Sequence, residues 1–228
     1  MSAAWSLQIL VGEVVLDPPD RPRARPSRPL SAPLVDALDR VEVRVAGPGN
    51  ATFQLDFDAA APALLDELRA VFGDGRRPLV RVILVARLGG VDRVLVDGVC
   101  TQHQLAPRGD AAAAFAVTGE DLGVVMDLVD RTGTKITSPE PEAQAQDILR
   151  RYAELGLRPS VHPPERGAPR RRASHQPRQQ GSDLAHLRHL ARQVGHVFHL
   201  DPGARPGETV AYWGPERRAG RPQPALTF

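Results

Sequence analysis

The sequence predicts an α+β, strand-rich fold: a small antiparallel β-barrel or sandwich followed by a helical and mixed α/β segment. Three observations predict it. Short runs of alternating apolar and polar residues recur at roughly ten-residue spacing through the first half. Proline (22) and glycine (20) are abundant while aromatic residues are only 4%, which suits short strands and turns and argues against a helical bundle. After Thr118 the apolar period changes from two toward that of a helix. At 228 residues, with 42% hydrophobic and 25% charged, the chain can bury a proper core, and a wholly disordered or membrane protein is disfavoured.

The first strand is carried by Trp5, Leu7, Ile9 and Val11. Residues 17–33 follow with six prolines and four arginines. Such a segment cannot donate a full ladder, so it is read as a loop or a strand-edge crossing. Leu34 to Leu38 makes one short helical turn. Val41, Val43 and Val45 then alternate with Glu42 and Arg44, and Phe53, Leu55 and Phe57 alternate with Gln54 and Asp56. The Gly47-Pro48-Gly49-Asn50 link between them is hairpin-turn chemistry. A helix over Ala63 to Phe72 places Leu64, Leu65, Leu68 and Val71 on the core side. Further strands are expected at Leu79 to Leu88, Val91 to Val99 and Ala113 to Thr118, the first two turned by Gly89-Gly90.

Beyond them, Leu122, Val125 and Met126 form a helical turn. Ser138 is read as the cap of a second helix with Pro139 in its first turn. Its apolar face is Ala145, Ile148, Leu149, Tyr152 and Leu155, and Gly156 stops it. Residues 161–180 are proline- and arginine-rich with almost no apolar content, the mark of a linker. Ser182 caps a third helix whose face carries Leu184, Leu187, Leu190, Ala191 and Val194. Gly195 ends it, a strand follows at His196 to Leu200, and another lies near Val210 to Trp213. The organisation expected is a barrel over 1–132 with the 17–33 loop, a helical connector over 133–160, a linker over 161–181, and a helix with a β-hairpin over 182–228.

The net charge is +2 and the pI about 9.2, because all the basic residues but Lys135 are arginines that keep their charge. Near-neutrality gives little long-range pull toward nucleic acid, and none is expected as a partner. One cysteine excludes an internal disulfide framework. Met1 to Trp5 lacks a secretory n-region and h-region, and Val80 to Leu88 is far too short to span a bilayer. The chain is therefore expected to be cytoplasmic when made, with no stable membrane insertion.

No G-x-S-x-G, Walker A, G-x-G-x-x-G or HExxH string occurs. The histidines at 186, 189, 196 and 199 offer the sharpest enzymatic reading, a metal-dependent hydrolase. Against it, the helix face centred on Leu187 turns His186 and His189 toward solvent, and His196 and His199 fall on opposite strand faces. Asp127 and Asp130 are read as a solvated helical face, and Cys100 as a small buried hydrophobe. No catalytic, cofactor-binding or metal-ligating residue is assigned, and the chain is expected not to be an enzyme. Arg170, Arg171 and Arg172 lack an interleaved stacking platform for nucleic acid and are read as a solvated linker or a docking run for an acidic neighbour. Tyr212 and Trp213 fit core packing or, as the sharper alternative, a contact between subunits.

Four strings carry a resemblance. Val117-Thr118-Gly119-Glu120-Asp121-Leu122 with Met126-Asp127-Leu128 resembles the strand-to-helix junction of the phage late-control D family. Val96-Asp97-Gly98 resembles the strand that closes its first barrel. Ser182-Asp183-Leu184-Ala185-His186-Leu187 through Gly195-His196-Val197-Phe198 is similar to its helix-then-strand signature. Asp201-Pro202-Gly203 with Ala211-Tyr212-Trp213-Gly214-Pro215 is similar to the hairpin after it. The family supplies baseplate hubs of contractile tails, the N-terminal part of VgrG spikes, and contractile injection systems. The resemblance implies a structural hub, homotrimeric around a channel, joining the inner tube protein to the spike among other baseplate subunits. It also implies a second barrel that is incomplete here: reduced, completed by a neighbour, or shortened.

Overall fold

A computed structural model describes residues 5–16, 18, 21–45, 50–59, 61–73, 79–108, 112–164 and 178–216. The expected mixture of strands and helices is present. In chain order the elements are β1 (Trp5–Val15), β2 (Arg23–Ala24), β3 (Arg28–Pro29), α1 (Ala32–Asp36), β4 (Leu38–Arg44), β5 (Thr52–Asp58), α2 (Pro62–Phe72), β6 (Leu79–Leu88), β7 (Val91–Arg108) and β8 (Ala112–Asp121). There follow α3 (Gly123–Asp127), α4 (Pro141–Arg150), a 3-10 turn (Ala153–Leu155), β9 (Leu157–Val161), α5 (Asp183–Gln193), β10 (His196–Pro202) and β11 (Thr209–Pro215).

The first eight strands form one sheet in the order β2-β1-β6-β7-β8-β5-β4, with β3 also pairing β1. Every pairing in it is antiparallel. The strand β7 bends the sheet. Its first half pairs β6 up to Val99, its second half pairs β8 from Gly98 onward, and the register shifts between Cys100 and Gln102. Such a bulge bends the strand and raises its twist, so the sheet curls round an apolar interior. The path stays open, since β4 and β2 end it; the barrel is incomplete among the described residues.

Alternation puts Phe53, Leu55 and Phe57 of β5, Phe115 and Val117 of β8, and Val82 and Leu84 of β6 into that interior, where Leu68 and Phe72 of α2 meet them. The Phe72 ring lies 5.8 Å from Phe57 and 6.4 Å from Phe115, within the range of favourable aromatic pairs. The bend itself needs glycine: a Cβ on Gly98 would stand 2.1 Å from the Glu120 carbonyl oxygen. Gly98→Ala is therefore expected to cost about 1–3 kcal/mol, read as a lower urea midpoint.

A second sheet, β10-β11-β9, is antiparallel between β10 and β11 and parallel between β11 and β9. Its inner face carries Phe198, Ala211 and Trp213, which close a second core with α3, α4 and α5. Val14 and Val99 of the first sheet join that core, so the two packed units share a wall.

Three expectations change. The second helix starts at Pro141 with Glu140 as cap, because a residue before proline is pushed to extended backbone and Glu140 has ψ 129°. Residues 157–161 are a strand of the second sheet, and β7 runs on to Arg108. The 17–33 segment does cross a strand edge, through β2 and β3 against β1. Ser182 caps α5 as expected, accepting from Ala185 N–H at 3.1 Å while donating to the Asp127 carboxylate. Ser182→Ala should cost about 1 kcal/mol in thermal unfolding.

Candidate functional site

The polar groups that the fold buries sit where its parts join. Arg81 of β6 and Asp97 of β7 are diagonal neighbours on the outer sheet face, and both are buried. Arg81 Nε and Nη2 donate to the two Asp97 carboxylate oxygens at 2.7 and 2.6 Å. The second unit covers this pair: Arg81 Nη2 also reaches the Gly207 carbonyl at 3.4 Å, and Thr209 Oγ1 donates to Asp97 at 3.3 Å.

A second tie joins α5 to the β4–β5 connection. Arg188 Nη2 donates to Asn50 Oδ1 at 2.7 Å, and Asn50 Nδ2 to Glu120 at 2.8 Å. Beside it Asp121 accepts from Ala51 N–H at 2.7 Å and Gly123 N–H at 2.8 Å. Burial raises its carboxyl above the ordinary value, opposed by those two bonds and the Arg188 charge.

Within the second unit, Asp183 is fully buried at the first turn of α5. It accepts from Arg151 Nη1 at 2.9 Å, Tyr152 Oη at 2.8 Å and Gln179 Nε2 at 2.7 Å, with Arg131 Nε 3.2 Å away. One carboxylate thus gathers the segments before α4, after α4 and before α5.

The histidines do not converge. His186 is buried, not solvent-facing, with Nε2 3.4 Å from Gln144 Oε1, because α5 is covered by α4 as well as by the second sheet. Its ring centre is 6.3 Å from that of His189. His196 packs edge-on against Trp213 at 4.7 Å, while His199 lies 4.9 Å from Tyr212 on the other face of β10. Among the described residues no group of three His, Cys, Asp or Glu stands at metal-ligating spacing. Burial first, and His189 next, lower the His186 pKa below 6.5. The unfolded chain then takes up the proton first, so stability is present above about pH 6.5 and is lost as pH falls below it. The urea midpoint should drop between about pH 7 and pH 5, and His186→Gln should flatten that limb. Burial also pushes the Cys100 thiol up to about 11, which removes thiolate chemistry at neutral pH.

Trp213 is fully buried and donates from Nε1 to the Leu187 carbonyl at 3.2 Å. Tyr212 is also buried; its hydroxyl donates to the Pro215 carbonyl at 2.8 Å, and its ring lies 5.2 Å from His162. A Cβ on Gly214 would meet that hydroxyl at 2.8 Å, so the glycine makes room for the tyrosine. Both aromatics are used in the chain's own packing. Arg170, Arg171 and Arg172 lie outside the described residues.

The remaining features are surfaces. A groove of about 380 Å³ runs between β1, the 25–28 segment and the end of α2, with Glu13 and Arg25 paired at 2.9 Å on its wall. Trp5, Leu88 and Val91 are cross-strand neighbours and 72%, 54% and 56% exposed. Among the described residues, the strand β4 ends the first sheet with no strand on its outer side. No described helix is long and apolar enough to cross a membrane.

Neither a family model nor a curated protein sequence matches the chain. Solved structures do. Over 92% of its length the chain aligns with 35% of a chain in the lidless PdpA–VgrG complex, at TM-score 0.59 and 8% identity. The half-lidded Francisella PdpA–VgrG complex gives TM-score 0.59 and 9% identity over 92% of this chain and 31% of that one. A tail protein from Neisseria meningitidis MC58 aligns over 91% of this chain and 50% of its own, at 11% identity and TM-score 0.46. The chain thus spans about a third of the VgrG-complex chains that it matches. Over nearly all of its own length it has the fold found in PdpA–VgrG complexes.

Proposed function

We propose that the chain is a structural subunit of a contractile tail or injection system, a hub that joins the inner tube to a VgrG-type spike around a channel. The observation that carries this reading is the fold likeness over 92% of the chain to a component of the PdpA–VgrG complex. The arrangement of the described residues supports it: the buried charges tie segments together instead of lining a cleft, and the sheets end in open edges. Unpaired edges favour partners that extend them. A homotrimer is the proposed state, with the 161–181 segment and its Arg170, Arg171 and Arg172 docking an acidic neighbour. Tyr212 and Trp213 contribute by rigidifying the hairpin that such a neighbour would meet. In a producing cell, removing this chain should leave tubes without attached spikes in electron micrographs. Complete particles in its absence would refute the assignment.

A further inference from the structure

We propose that copies of this chain meet head to tail through charge: the ribbon bearing Lys135 and Arg178 of one copy docks on the acidic corner Asp36, Asp39 and Asp58 of the next. The inference rests on the homotrimer reading and identifies the acidic neighbour in it. The ribbon is short and well bonded. Asp130 bridges Ser182 and Lys135 bridges Arg178, both antiparallel. Between them Arg131 N–H donates to the Gly181 carbonyl at 3.1 Å and Gly133 N–H to the Gln179 carbonyl at 2.9 Å. The bridge sets the chain's single lysine directly opposite an arginine, and both are exposed. Like charges so placed repel. The acids beside the ribbon are already occupied. Asp130 accepts from Thr132 N–H and Oγ1 at 2.9 and 2.6 Å, and Asp183 holds Arg131 and Arg151. Arg178 Nη1 donates to the Gly133 carbonyl at 2.8 Å, and among the described residues no acid pairs with it or with Lys135.

The corner is built where α1, β4 and β5 meet. Asp36 is the last residue of α1, which has no basic residue in its last turn. Next to it the Ala37 carbonyl accepts from Asp58 N–H at 2.8 Å. Leu38 pairs with Phe57 and Arg40 with Asp56, so Asp39 falls in the bulge between those pairs. All three aspartates are exposed. Several exposed acids elsewhere are matched within the chain, as Glu13 is by Arg25, Asp92 by Arg87 and Asp147 by Arg150. Corner and ribbon do not meet inside one copy. No described bond joins them, and the corner lies about 20 Å along β5 from the Asn50 end that α5 holds through Arg188. Two different patches that fit each other make a heterologous contact, which closes into a ring when the rotation allows. In a ring of three copies every ribbon meets a corner, and the same contact recurs between each pair.

Sedimentation velocity of the full chain over a dilution series, at low and high salt, tests the contact. The wild type should form trimers at low salt and dissociate as sodium chloride rises, because exposed charges are screened. Lys135→Glu with Arg178→Glu should weaken assembly on the order of tenfold or more, and so should Asp36→Lys with Asp39→Lys, since each sets like charges together. The fourfold variant, with both patches reversed, should restore trimers because every contact regains opposite signs. Lys135→Glu alone should weaken assembly to a smaller degree, and it removes no bond within the described chain. Far-UV circular dichroism and thermal midpoints, unchanged from the wild type, show that the variants are folded. A trimer indifferent to both reversals overturns this contact and leaves the homotrimer standing. A fourfold variant that stays dissociated, or a wild type that is monomeric throughout, also overturns it, while the hub reading is judged separately by binding to tube and spike proteins.

Discussion

Replacing Asp183 with alanine is expected to lower stability by about 3–5 kcal/mol, the cost of removing one partner from a buried charge network. The carboxylate is fully buried and satisfies Arg151, Tyr152 and Gln179 by hydrogen bonds of 2.7–2.9 Å, with Arg131 3.2 Å away. Its loss leaves two guanidinium groups and a phenol facing an apolar site. The Tyr152 hydroxyl, whose pKa is raised by burial and then by Asp183, would be left as a neutral donor without its acceptor. Urea unfolding followed by tryptophan fluorescence measures the effect, since Trp213 sits in the same core. A double-mutant cycle with Arg151→Met should show coupling above about 1 kcal/mol. A loss below about 1 kcal/mol for Asp183→Ala would mean that the network does not hold the segments together.

The second large effect is expected at Arg81. Arg81→Met leaves the Asp97 carboxylate buried with, among the described residues, Thr209 alone to donate to it, and should also cost about 3–5 kcal/mol. The double variant Arg81→Met with Asp97→Leu removes both charges and should recover most of the loss, because a buried ion pair often does no better than an apolar pair of similar volume. Hydrogen exchange separates a local from a global effect. In Arg81→Met the amides around Gly203 and Thr209 should lose protection before those of β5 and β8, since the pair reaches the Gly207 carbonyl and Thr209. Uniform loss throughout would assign Arg81 to the first sheet alone.

These two residues also show where sequence reading stops. β6 was legible to its ends because Leu79–Leu88 is a long apolar run bounded by a Gly-Gly turn. The Ser182 cap was legible because capping is local chemistry. β9 was not: it is five residues long, and Arg158 and Pro159 break its apolar pattern. It exists because β11 offers a parallel ladder, a tertiary cause. The polar half of β7 from Thr101 to Gln104 is likewise held by β8 and not by its own alternation. His186 was placed outward by the single apolar stripe of α5, whereas that helix is buried on a wider arc. Asp183 reads in sequence as an ordinary acidic residue in a first helical turn. Its partners Arg131, Arg151 and Gln179 come from separate segments, and no local pattern announces their meeting.

The hub assignment is tested most directly by native mass spectrometry of the full chain mixed with candidate tube and VgrG-type spike proteins. A complex containing three copies of this chain together with both partners is expected. A stable monomer that joins neither protein would contradict it.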